Sequence, residues 1–235
     1  MQATLPFWRP IILDGSIPEF REITLDFYRH AVDPVCTQIA ATVGERPTSN
    51  DHAEHHAWER RRTVQMEAHR SFALGIGAMW ERNIRELLRQ AAAILVKSIP
   101  ADLKRDIAGN GFGGIESAFN AIRGFPLNWF DSYDDLRRLA LLSSAIRHGD
   151  GSSAKQLQAE CPDLFHDHGI ESSWYAYFAF GGDGPAAVRK LDLTREHLTR
   201  FSDAVAGFWN QAEGLVAQGA AKEAERKAVK EDPRR

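Results

Sequence analysis

Phe72-Ala-Leu-Gly-Ile-Gly-Ala-Met-Trp-Glu-Arg-Asn-Ile-Arg-Glu-Leu-Leu-Arg-Gln-Ala-Ala-Ala-Ile-Leu95 is the stretch whose periodicity decides the fold. Phe72, Ile76, Met79, Trp80, Ile84, Leu87, Leu88, Ala91, Ile94 and Leu95 recur in steps of three and four, which lines one face of an α-helix. Upstream the helix extends back to about Asp51, but that half is polar, with Arg60-Arg-Arg62 and several histidines. A polar helix portion projects from the core or packs against a second subunit. Pro100 stops the helix, because proline cannot donate to the next turn.

The flanks repeat the pattern. Residues 1–18 carry three prolines and read as an irregular arm whose Phe7, Trp8, Ile11, Ile12 and Leu13 pack on the body or on a partner. From Glu19 to about Val43, Phe20, Ile23, Phe27, Val32 and Val35 form a looser helical stripe, with Pro34 kinking it or starting a new helix. Gly44–Asn50 is a loop. After Pro100 come a helical turn over Asp102–Ala108, a flexible loop over Gly109–Gly114 and a short helix over Ile115–Arg123. Ser132 and Asp135 resemble a capping box ahead of a helix lined by Leu136, Leu139, Leu142 and Ile146, which Gly149-Asp-Gly151 ends. Ser152–Glu160 is another short helix. Trp174–Phe180 could form a strand pairing with Val188–Leu191. Thr194 caps a last helix carrying Leu198, Phe201, Val205, Phe208 and Trp209. The expected fold is all-α, a bundle of roughly six to eight helices with a small hairpin near 174–191. A single helical domain over 19–220 lies between the arm and a charged, mixed-sign tail, 221–235, that reads as a solvated helix end fraying into disorder.

Composition narrows the function classes. In 235 residues, 43% are hydrophobic and 26% charged, and six Trp and thirteen Phe supply a core. A net charge of −3 argues against whole-surface attraction to nucleic acid and leaves room for a local basic patch. The two cysteines, Cys36 and Cys161, suggest no disulfide framework and fit a reducing compartment. The N-terminus lacks a secretory signal and no apolar run reaches the roughly 20 residues that span a bilayer, so the expected location is the cytoplasm, away from membranes.

Chemistry concentrates in Ser143-Ser-Ala-Ile-Arg-His-Gly-Asp-Gly151. On a helix, Arg137, Leu141, Ser144 and His148 fall within about 60° of one another, and Ser144 and His148 are one turn apart. Arg137 lies about 16 Å up the axis, out of direct reach of His148. His148 sits at the carbonyl end of the helix, near Asp150, in negative potential. Histidine is the natural proton-transfer group near neutrality, and Arg147 beside it could stabilise the charge of a phosphorane-like transition state in RNA cleavage. The plainer reading is a histidine that orders a helix C-terminus.

Asp131–Leu157, centred on Leu139-Ala-Leu-Leu-Ser-Ser-Ala-Ile-Arg-His-Gly-Asp-Gly151, resembles the HEPN superfamily. The long helix carrying Trp80-Glu-Arg-Asn before it and the final helix with Phe208-Trp-Asn after it fit the same arrangement, over about 70–215. The resemblance implies a compact helical bundle, often dimeric, of the kind found in bacterial phage defence, toxin–antitoxin and RNA-processing systems. Active members are metal-independent endoribonucleases, without cofactor, whose two subunits face their sites together. Carried over by position, His148 and Gly149 match the signature and Ser144 stands where its polar residue belongs. The signature arginine does not carry over: its place, with four to six residues between it and the histidine, holds Ser143, Leu142 or Leu141. The expected catalytic residues are therefore His148, Arg147 and Ser144, with Arg137, Asp150 and Arg82 contacting RNA. The alternative is a non-enzymatic helical dimerisation or interaction module, with a cognate protein partner.

Other constellations carry less. His52 and His56, one turn apart, with Glu59 and His55 nearby, need a third ligand such as His30 or His69 before a metal fits, so no metal site is assigned. Cys161, His166 and His168 form a thin cluster without a paired Cys-x-x-Cys. Gly109, Gly111 and Gly114 satisfy G-x-G-x-x-G but follow no strand. Arg60–Arg62, Arg70, Arg82, Arg85 and Arg89 could line a phosphate-binding face, although interleaved Glu59, Glu67, Glu81 and Glu86 suggest an ordinary salt-bridged surface.

Overall fold

The computed structural model describes residues 6–109, 111–149, 151–165 and 188–231. Its α-helices, in chain order, are α1 (Ile17–Phe27), α2 (Asp33–Val43), α3 (His52–Leu95), α4 (Ala101–Gly109), α5 (Gly111–Arg123), α6 (Tyr133–His148), α7 (Ser152–Glu160) and α8 (Arg195–Glu231). Short 3-10 turns fill several connections, and no strand occurs among the described residues beyond an isolated bridge between Phe165 and Leu191. The all-α expectation holds. Of the proposed hairpin, 174–187 lie outside the described residues, and Val188–Lys190 form a 3-10 turn. No described helix is long and apolar enough to cross a membrane.

Local chemistry explains the boundaries. Between α1 and α2 the helix widens into a π turn over Tyr28–Val32 just ahead of Pro34, which has no N–H to continue the α ladder. Thr194 caps α8 as expected: its hydroxyl accepts from the His197 N–H at 3.4 Å, and the His197 ring Nδ1 accepts from the Thr194 N–H at 3.1 Å. This is a capping box with histidine in the place usually held by Glu or Gln. The box expected at Ser132 does not form, since the Ser132 hydroxyl has no partner among the described residues and Asp135 pairs with Arg200 at 2.7 Å. The glycine-rich stretch from Gly111 is no loop but the first turn of α5, with Gly114 buried. Gly111 itself takes φ of +61°, the left-handed turn that lets α5 begin directly after α4.

The chain divides into two compact units. The first comprises residues 1–25, 79–134 and 203–235. Its core is a chain of rings: Trp8 on Phe119 (6.0 Å), Phe119 on Phe130 (5.7 Å), Phe130 on Phe208 (4.5 Å) and Phe208 on Trp80 (5.9 Å). These separations and the mostly tilted or edge-on angles suit the ring quadrupoles. The N-terminal arm is bound into this unit. Trp8 is 1% exposed, and the Arg123 guanidinium stacks on its ring at 3.9 Å. Asp14 accepts from the Trp8 indole (3.0 Å), the Ile11 N–H (2.7 Å) and Arg123 (3.1 Å), and Arg123 Nη1 donates to the Arg9 carbonyl at 3.0 Å, which leaves only its Nε without a partner among the described residues. From residue 220 to 226 α8 is exposed all round.

The second unit comprises residues 26–78 and 135–202. Ile76, Leu136, Leu139, Leu142, Leu157, Leu164, Leu198 and Phe201 fill its core. Here α3 grips the chain ahead of α8. Arg62 donates both ways to Asp192 (2.5 and 2.6 Å), the His69 ring Nδ1 bonds the Leu193 carbonyl, and Arg70 donates to the Leu191 carbonyl at 2.8 Å. Arg195 donates to Asp33 at 2.6 Å, fastening the start of α8 to the start of α2.

Candidate functional site

Helix α6 is set by its buried face, Leu136, Leu139, Leu142, Ser143 and Ala145. Its close approach to α3 requires Gly77: a Cβ there would fall 2.5 Å from the Ser143 hydroxyl and 3.4 Å from Leu139 Cγ. Residues at one end of α6 therefore project where this packing fixes them. The helix closes on Gly149, whose φ of +72° and N–H to the Ala145 carbonyl (2.9 Å) make a left-handed cap. His148, the last helical residue, is exposed, and no described residue bonds or ion-pairs with it. Gly151, three residues later, is the N-cap of α7, and no side chain caps that N-terminus.

The stripe of Arg137, Leu141 and Ser144 does not stand open beside His148. Helix α7 runs along it. Ser144 Oγ lies 2.9 Å from Ser153 Oγ, while Arg137 forks onto Glu160, with Nη2 to Oε1 at 2.9 Å. Seven residues separate the two contact points on each helix, a span of about 10 Å, so α7 lies antiparallel on α6. Hydrogen bonds from Arg137, and then from Gln156, hold the Glu160 carboxyl below its ordinary range. Arg147 turns back along α6, its Nε donating to the Ser143 carbonyl at 3.1 Å. The residues expected to act together thus share one helix, but Ser144 bonds Ser153 and not His148. Arg82 is exposed and belongs to the first unit. Asp150 lies outside the described residues.

The remaining candidates resolve into local contacts. His55 bonds the Ser49 carbonyl (2.7 Å), His56 approaches Glu59 (3.4 Å), His30 approaches Asp26 (3.9 Å), and His52 is exposed. No three metal-ligating side chains converge among the described residues. Of the arginine face, Arg89 pairs with Glu86, and Arg85 holds Glu81 and the carbonyls of Asp106 and Ile107, tying α3 to the end of α4. Cys161 is buried, which raises its thiol pKa; His166 and His168 lie outside the described residues.

One feature had no sequence signal. A cavity of about 350 Å³ in the second unit is lined by Cys36, Arg62, Gln65, His69, Thr194 and Glu196, among others. Burial, and then Asp33, push the Cys36 thiol up. Its lining comes from α2, α3 and the start of α8, a meeting that only long-range packing creates. Comparison with family models, characterised proteins and solved structures finds no match to this chain.

Proposed function

We propose that this chain is a HEPN-like, RNA-directed protein of the kind used in bacterial defence or stress responses, and that the turn from α6 to α7 is where it meets RNA. The observation that carries the reading is His148: an exposed imidazole at a glycine-closed helix end, engaged by no described residue, beside Arg147 and just ahead of the N–H groups that open α7. Such a ring can exchange a proton with a ribose hydroxyl, and the neighbouring cation and helix N-terminus favour a phosphate. Metal is not called for in this chemistry. A homodimer would bring a second His148 and Arg147 to the same RNA.

Fluorescence anisotropy with a labelled mixed-sequence single-stranded RNA tests the reading. The wild type binds, and His148→Ala with Arg147→Ala weakens binding by about tenfold, roughly 1.4 kcal/mol, with unchanged circular dichroism. Equal binding by both proteins would move RNA contact away from this turn. A second reading, a non-enzymatic interaction module, is favoured by the commitment of Ser144 to Ser153 and of Arg137 to Glu160, which leaves His148 without the companions its chemistry would use.

A further inference from the structure

The stripe that the RNA reading needs runs from Arg137 through Ser144 to His148, and α7 covers all of it but the end. The contact at the far end has a particular form. Arg137 presents two N–H groups side by side to the two oxygens of Glu160. A guanidinium fork takes a phosphate in the same geometry. Glu160 therefore occupies on Arg137 the place that an RNA phosphate would take. Both side chains are still partly open to water, at 38% and 31%, so the carboxylate is exchangeable rather than entombed. At the near end the Ser144 and Ser153 hydroxyls pair beside the buried Ala154. Of α7 itself only Ala154 and Leu157 are buried, and a glycine stands on each side of residue 150 where α7 joins α6.

We infer that α7 is an autoinhibitory cover on the RNA-contacting face of α6, with Glu160 standing in for phosphate on Arg137 until RNA displaces it. This rests on the RNA reading above. Burial of Leu157 and Ala154 keeps the cover closed at rest, and a polyanion competes with Glu160 for the same fork. Release would take Glu160 off Arg137 and Ser153 off Ser144, extending the contact from His148 along a stripe about 16 Å long, a track for a strand backbone instead of a single contact.

The test locks and unlocks the cover. The Ser144 and Ser153 hydroxyls are 2.9 Å apart, which puts a Ser144→Cys, Ser153→Cys pair within a disulfide's reach, and the native Cys36 and Cys161 are buried. Binding of the labelled single-stranded RNA is compared for this variant oxidised and reduced, and for Glu160→Ala. The expected result is about tenfold weaker binding when oxidised, recovery on reduction, and binding several-fold tighter than wild type for Glu160→Ala. Equal binding by oxidised and reduced forms, or no gain from Glu160→Ala, overturns the inference. If no form binds RNA, the RNA reading fails, and the cover is judged by hydrogen exchange: α7 amides that exchange faster than those of α6, and slow on crosslinking, support it, while equal protection overturns it.

Discussion

At the scale of the residue, the α3–α6 contact turns on Gly77. Any side chain there meets the Ser143 hydroxyl at 2.5 Å, and that hydroxyl is itself buried without a described hydrogen-bond partner. Gly77→Ala should cost about 1–3 kcal/mol by overpacking. Ser143→Ala alone should be near neutral, since it removes an unsatisfied group. The double variant should recover most of the loss, because the clashing oxygen is gone; urea titration of the four proteins reads the coupling directly. Arg123 makes the opposite case. Burial lowers its pKa, and Asp14 is its compensation. Asp14→Ala should destabilise by about 3–5 kcal/mol, because the guanidinium stays buried with its counter-charge removed. Neither role was legible in the sequence. Gly77 read as an interior helix residue like any other, and nothing near Arg123 in the chain announces an aspartate 109 positions earlier.

At the scale of the element, the sequence was most informative where the signal is local. The Phe72–Leu95 stripe predicted a helix stopped by Pro100, and α3 ends at Leu95. Thr194 predicted the start of α8, and Gly149 the end of α6. Local signals failed where packing overrode them. The glycines from Gly111 onward joined α5 instead of forming a loop, since their helix packs on α4 and buries Gly114. Ile94, placed by periodicity on the buried face, is 56% exposed. The α8 cap yields a prediction with a sign. Burial, more than any charge, holds the His197 ring below its ordinary value of 6.5. The unfolded chain therefore takes up the proton more readily, so the cap's full contribution is present above that value and declines as pH falls through it. His197→Gln keeps an acceptor for the Thr194 N–H and has no proton to gain. Melting of α8 followed between about pH 7.5 and pH 5.5 should lose stability in the wild type and lose less of it in the variant.

At the scale of the whole molecule, a net charge of −3 means that RNA affinity must come from a local cluster. Binding should then fall with salt on a shallow slope, reporting only the few phosphates that Arg147, Arg137 and their neighbours neutralise. A slope near that of an extended basic surface would point to a different face. Composition excluded a membrane span and a disulfide scaffold, and it said nothing about which side chains share a surface. The candidate site was legible in part for the same reason. Periodicity put Arg137, Ser144 and His148 on one stripe, but that α7 would fold back over that stripe depends on Ser153 and Glu160, whose sequence neighbourhood reads as an ordinary short helix. The measurement closest to the central claim is cleavage of RNA in EDTA by the wild type and by His148→Ala, both checked for folding. The account predicts metal-independent cleavage by the wild type that His148→Ala abolishes. Cleavage that survives in the variant, or no cleavage by the wild type across several RNA classes, would contradict a ribonuclease built on His148.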